Sequence, residues 1–275
     1  MPNALTMGNL SGGMLVAWSM IVGPLRWDGR PWGWETVAVE MEDGLHQVHL
    51  YDAGGLLSIV AIWLLALLCD LFDGPLARKL GTAGPMGVQL DSMADLVTAG
   101  VAPALVGMAI LSNFPDRLVG WPFLPWTMVW AAAFRLARFN VEHGAPRRGF
   151  KGMPAPAGAV WWMGVLLLLA DVYRSDTGSD TGAAVLLGAL FLGSTLIPGL
   201  MVSSLGMMDF KEWGVHKGYD RSRWGYATVV VLGVPLGGYL ADSWGLALLS
   251  ALLLYVIWSL ATPALRHPVI EPVSN

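Results

Sequence analysis

From Ala53 to Cys69 the sequence AGGLLSIVAIWLLALLC carries no charge at all. A helix needs about 20 predominantly apolar residues to cross the hydrocarbon core of a bilayer. Eight stretches of this kind are read along the chain, at residues 8–24, 53–74, 90–112, 117–138, 155–173, 183–205, 224–241 and 244–263. In lipid each backbone N–H and C=O must be paired inside the protein, which leaves helices as the economical solution for such runs. The expected fold class is an all-α integral membrane protein, a bundle of about eight transmembrane helices. Hydrophobic residues make up 55% of the chain and charged ones 13%, a balance that no soluble domain could bury. The fourth stretch, with Pro122 and Pro125, and the seventh, with Pro235, are expected to be the least regular.

Composition excludes several classes. A net charge of −4 gives no nucleic-acid footprint, so no nucleic-acid partner is expected. The single cysteine, Cys69, excludes an internal disulfide framework and reads as a packing residue. The opening residues lack a basic segment followed by a small-residue cleavage site, so no cleavable leader is expected.

Orientation is read from lysine and arginine. One set of loops and helix ends holds Arg78, Lys79, Arg135, Arg138, Arg147, Arg148, Lys151, Lys211, Lys217, Arg221, Arg223 and Arg266, against Arg26, Arg30, Arg117 and Arg174 on the other. The richer side is expected to be the cytoplasm. With eight spans it contains both termini and the segment from Asp70 to Asp95, and the acidic 25–52 loop faces outward.

That segment, DLFDGPLARKLGTAGPMGVQLDSMAD, is where chemistry concentrates. Asp70 and Asp73 are spaced i, i+3, and Asp91 and Asp95 i, i+4, so each pair shares a helix face. The intervening KLGTAGPMG has the glycines and proline of a tight turn between antiparallel spans. If the two faces meet, four carboxylates converge at a membrane boundary. Hard oxygen ligands in that number suit one or two Mg²⁺, Mn²⁺ or Ca²⁺ ions. Gly74, Ala77 and Gly87 leave room for a ligand close to the backbone, and Arg78 offers a planar fork for phosphate or carboxylate. Together these features suggest a substrate bearing a pyrophosphate. Two other readings stand beside this one: aspartates that only cap helices or pair locally, and a cation pathway in a transporter.

The segment reads D-x-x-D-G-x-x-A-R-x8-G-x3-D-x3-D without a departure, and it resembles the signature of the CDP-alcohol phosphotransferase family of integral membrane enzymes. The resemblance implies that Asp70, Asp73 and Asp91 bind metal. It implies that Asp95 completes the metal site and acts as the base, and that Gly74, Ala77, Arg78 and Gly87 surround the CDP group. The opening PNALTMGN resembles a further family motif and would bring Thr6 and Asn9 near the nucleotide.

Three later segments bear on the acceptor. FRLARFNV (Phe134–Val141), FKGMPAPAG (Phe150–Gly158) and LMVSSLGMMDFK (Leu200–Lys211) resemble the branch of the family that uses L-serine. The reaction so implied transfers a phosphatidyl group from CDP-diacylglycerol to the serine hydroxyl and releases CMP. Choline, glycerol 3-phosphate or an inositol phosphate is the alternative acceptor. Arg135, Arg138 and Lys151 are candidates to bind the serine carboxylate. The resemblance places the catalytic domain at 1–211 and makes 212–275 an extension of two further helices. It also implies a homodimer in the cell membrane, with its cavity open to the cytoplasm.

Overall fold

The computed structural model describes residues 2–22, 35–41, 44–50, 53–81, 84–112, 121–141, 150–174, 180–208 and 217–262. Within them the chain is helical apart from two small antiparallel ladders. α1 (Pro2–Val22) packs along α2 (Ala53–Lys79) so closely that a Cβ on Gly12 would lie 2.6 Å from the Ala66 Cβ. Between them, β1 (Glu35–Met41) pairs with β2 (Gly44–Leu50) as a hairpin within the expected outer loop. The alternation of ETVAVEM is the sign of it in the sequence.

α2 runs on past Gly74 to Lys79 with Pro75 inside it. Proline removes one main-chain bond but does not end this helix. The turn comes at Gly81, whose φ of 64° suits the left-handed cap that glycine adopts freely. α3 (Pro85–Leu96), a π-helical turn (Val97–Val101) and α4 (Ala102–Leu111) then form one continuous rod. In the π register the Ala102 N–H reaches back to the Val97 carbonyl. The next donor in that register is residue 103, a proline without an N–H, so the Thr98 carbonyl loses its helical partner. The Trp63 indole N–H of α2 fills the gap at 3.0 Å.

A 3-10 turn (Trp121–Trp126), with Pro122 and Pro125 in it, leads into α5 (Thr127–Val141); residues 117–120 of the expected span lie outside the described residues. β3 (Phe150–Lys151) precedes α6 (Ala155–Arg174), and β4 (Gly206–Met207) follows α7 (Asp180–Val202) and pairs with β3. α8 (Lys217–Leu240) and α9 (Trp244–Ala261) complete the bundle, with α9 lying against α6.

Among the described residues, five helical stretches are long and apolar enough to cross a membrane: Gly55–Lys79, Pro85–Leu111, Ala155–Val172, Ala184–Val202 and Trp244–Ala261. The protein is an integral membrane protein. The other three expected spans are helical but differently composed. α1 is diluted by asparagine, threonine, serine and glycine, α5 has only 15 residues, and α8 opens on KGYDRSR. The rod from Pro85 and helix α6 are the enclosed ones, 72% and 67% buried, against 28% for α2 and α9. Trp63, Trp161 and Trp162 form the centre of the core, while Leu65, Phe72, Trp130 and Leu232 present apolar surface outward.

Candidate active site

The aspartates are carried by the ends of α2 and α3, where the turn at Gly81 folds one helix back beside the other. Asp70, Asp73 and Asp91 each bring a carboxylate oxygen to within 4.8 Å of the other two. Asp73 is buried, and Asp70 and Asp91 are half-buried. Asp95, one turn beyond Asp91, stands outside that trio.

α1 supplies the donors. The Thr6 hydroxyl donates to Asp73 Oδ2 at 2.6 Å, and the Asn9 amide donates to Asp70 Oδ1 at 3.0 Å. The Asn9 amide is itself held, because its Oδ1 accepts from the Thr98 hydroxyl at 2.7 Å. That hydroxyl sits in the π turn, where a Cβ on Gly13 would come within 2.5 Å of it. The three polar residues are almost fully enclosed. A relay thus runs from the Trp63 indole through Thr98 and Asn9 to Asp70.

Three carboxylates that converge this closely repel one another when charged. A hydrogen bond to a charged group contributes about 1.5–3 kcal/mol. Two full charges about 4 Å apart repel by about 4 kcal/mol at an effective dielectric of about 20. The donor set therefore fits a cation.

Gly74 and Gly87 are not demanded by packing. A Cβ on Gly87 would meet nothing within 4 Å, and one on Gly74 only the Arg78 Nη1 at 3.5 Å. Arg78 itself is exposed, and Ala77 is half-buried beside it.

The basic candidates separate. Arg135 on α5 is buried, 8% exposed, with Asp95 and Arg138 within electrostatic reach of its guanidinium. Arg138, one turn on, is taken up by main-chain carbonyls. It donates to Lys151 O at 2.7 Å, Val202 O at 2.9 Å, Ser203 O at 3.1 Å and Met201 O at 3.3 Å, and it lies over the Phe134 ring. It ties the end of α7 to β3. Gly152 completes this knot with a φ of 74°, and a Cβ there would strike the carbonyls of Met201 and Ser203. Lys151 contributes its carbonyl to Arg138 and keeps its side chain exposed. Arg147, Arg148 and Lys211 lie outside the described residues.

Two polar contacts were absent from the sequence reading. Thr98 is one, although a threonine five residues before Pro103 was a usable sign of an unpaired carbonyl. The other joins α5 to α3: the Asn140 amide donates to Ser92 Oγ at 2.9 Å, next to Asp91.

The sequence profile of CDP-alcohol phosphatidyltransferases matches residues 1–196, most of the chain and all four aspartates. The chain belongs to the CDP-alcohol phosphatidyltransferase family. Three of its relatives are named CDP-diacylglycerol–serine O-phosphatidyltransferase. The one from Mycobacterium leprae is 43% identical over 118 residues, 40% of this chain and 38% of its own length. That from Methanocaldococcus jannaschii is 32% identical over 143 residues, 52% of this chain and 65% of its own. That from Bacillus subtilis is 30% identical over 185 residues, 66% of this chain and 91% of its own. The chain therefore spans less than two thirds of the first two relatives and nearly all of the third.

Proposed function

We propose that this CDP-alcohol phosphatidyltransferase makes phosphatidylserine, transferring the phosphatidyl group of CDP-diacylglycerol to L-serine with release of CMP. The observation that carries the reaction class is the Asp70–Asp73–Asp91 cluster, one helical turn from Asp95, in a chain of this family. The relatives' names and the FRLARFNV and FKGMPAPAG segments support serine.

Asp70, Asp73 and Asp91 would hold divalent ions, Mg²⁺ or Mn²⁺ by their hard oxygen donors, with Ca²⁺ fitting the same set and Asp95 completing it. Such ions, when bound, neutralise pyrophosphate charge and stabilise the departing CMP. Asp95 accepts the proton of the serine hydroxyl as its oxygen bonds to the β-phosphorus and the bond from that phosphorus to the CMP oxygen breaks. Gly74, Ala77 and Gly87 leave the cytidine and phosphates their space, and Arg78 pairs with a phosphate. Thr6 and Asn9 act on the nucleotide side by fixing the carboxylates. Arg135, near Asp95, receives the serine carboxylate, with Lys151 at the margin.

The family resemblance supports a homodimer. The distribution of lysine and arginine supports a place in the cell membrane with site and termini toward the cytoplasm. The test is CMP release by the purified protein from CDP-diacylglycerol, with a panel of alcohols and with the metal chelated or restored. Release that requires both divalent metal and serine is the expected result. Release that follows choline, glycerol 3-phosphate or an inositol phosphate instead would replace the acceptor. No release with any alcohol, with cation flux in liposomes, would favour a transporter.

A further inference from the structure

Two contacts fix the register of α5 against the rod that begins at Pro85. In the π turn, a Cβ on Gly100 would lie 3.1 Å from the Ala132 Cβ and 3.5 Å from the Val129 Cα. Nearer the start of the rod, the Asn140 amide donates to Ser92 Oγ at 2.9 Å. The interval from Ser92 to Gly100 equals that from Ala132 to Asn140, so the two helices run antiparallel without a slip between these contacts. Leu96 and Leu136 fall midway, and their chain neighbours are Asp95 and Arg135. The two contacts differ in kind. The one at Gly100 is close packing, and the one at Ser92 is polar and lies in the last turn of α5. The single proton of the Ser92 hydroxyl has the Val88 carbonyl at 3.0 Å and Asn140 Oδ1 at 3.3 Å as acceptors. The nearer is the usual helical partner of a serine, so the bond from the Asn140 amide is what ties the helices. On its other side the same end of α5 is fastened through Arg138 to β3 and the end of α7. That side is anchored further on, where the Met208 N–H, just past β4, donates to Ser259 Oγ on α9 at 3.2 Å.

We propose that Asn140 is a positioning residue: through Ser92 it sets the separation of α3, which carries Asp91 and Asp95, from α5, which carries Arg135. This rests on the reading of Arg135 as the group that receives the acceptor's carboxylate. Asp91 belongs to the metal half of the molecule, since α3 packs on α1 and Asp91 converges with Asp70 and Asp73. Arg135 goes where α5 goes. The acceptor's hydroxyl must meet a base on one helix while its carboxylate meets a guanidinium on the other. The gap between the helices is therefore the length of acceptor that the site takes, and a misplacement of about 1 Å can cost about 100-fold in rate. Helix ends fray, so the last turn of α5 is where a lost contact would widen that gap. Hydrogen bonds between membrane helices contribute little to stability, so the loss is read in the geometry of the site rather than in melting.

The experiment measures steady-state CMP release, with each substrate varied in turn, for full-length Asn140→Ala, Ser92→Ala, the double variant and Ser92→Thr. Melting temperatures are taken alongside and are expected to stay close to the parent's. Asn140→Ala and Ser92→Ala are each expected to raise the KM for serine by about fivefold or more, with the KM for CDP-diacylglycerol within about twofold. The double variant is expected to match the worse single one, because both changes remove the same bond. Ser92→Thr keeps a hydroxyl for the amide and is expected to recover most of the serine KM lost in Ser92→Ala. An unchanged serine KM in Asn140→Ala would overturn the proposal. So would shifts that multiply in the double variant, a matching rise in the KM for CDP-diacylglycerol, or a Ser92→Thr that behaves like Ser92→Ala. Arg135→Lys tests the reading beneath: with the parent's serine KM in that variant, the reading fails whatever Asn140→Ala does. If the parent protein uses another alcohol, the function proposed above fails on that result alone, and the same comparison with that alcohol still decides the role of Asn140.

Discussion

Thr6 and Asp73 are 67 residues apart in sequence and joined by a hydrogen bond of 2.6 Å, both side chains buried. The carboxylate that lies deepest in the cluster is thus aimed from α1. Thr6→Val keeps the shape and removes the donor. Outer groups that orient metal ligands are worth about 10–100-fold in metal affinity, and a loss in that range is expected for Thr6→Val. Titration of CMP release with Mn²⁺ measures it, and an unchanged metal dependence would show that Asp73 needs no help.

Asn9 and Thr98 act on Asp70 in series. Asn9→Ala and Thr98→Val are each expected to weaken metal dependence, and the double variant to lose less than the sum. The coupling should be about 0.5–3 kcal/mol, as for residues in one network. Additive losses would mean that Thr98 serves only the packing of α1 against the π turn.

Asp95→Asn is expected to abolish turnover and to keep metal-dependent binding of CDP-diacylglycerol, because the converging trio is Asp70, Asp73 and Asp91. Asp70→Asn or Asp91→Asn should weaken binding and turnover together. Near-normal turnover in Asp95→Asn would remove it from the role of base.

Gly87→Leu should leave the fold intact, since a Cβ there meets only open space and leucine is the better helix former by up to about 1 kcal/mol. Its cost is expected in nucleotide binding. A variant that melts at the parent temperature and no longer binds CDP-diacylglycerol is the predicted outcome, and normal binding would show that no ligand approaches α3 at that position.

Arg135→Lys and Arg138→Lys should fail differently. Arg138 makes four bonds to main-chain carbonyls, and lysine has three donors on a single point, so Arg138→Lys is expected to lower the melting temperature. Arg135→Lys is expected to raise the serine KM, by about 1–3 kcal/mol in transition-state terms if one charge-assisted bond is lost. A matching rise in the KM for CDP-diacylglycerol would assign Arg135 to the lipid phosphates instead.

The aspartates were legible because their spacing is a property of one helix at a time, and helix periodicity is carried by the sequence. The run of the spans was legible for the same reason, since apolar length is local. The task of Arg138 was hidden because its partners are carbonyls, on Lys151 and, 63 to 65 residues away, at the end of α7, and carbonyls have no letter in a sequence. Asn9 could be placed near the site by motif, but not on Asp70. That pairing depends on Thr98, which depends on a π register that Pro103 and a tryptophan from another helix make tolerable.

Chains emerge from the ribosome N-terminus first, and parts already made begin to fold. Asp70, Asp73 and Asp91, with Thr6, Asn9 and Thr98 that bond to them or to each other, lie in roughly the first third of the sequence. Met208 must wait for Ser259, more than a hundred and fifty residues after that third is finished. The aspartate cluster and the contact between Met208 and α9 are therefore made at different times. A nascent chain has made all three aspartates of the cluster well before it has anywhere to seat the strand pair of β3 and β4.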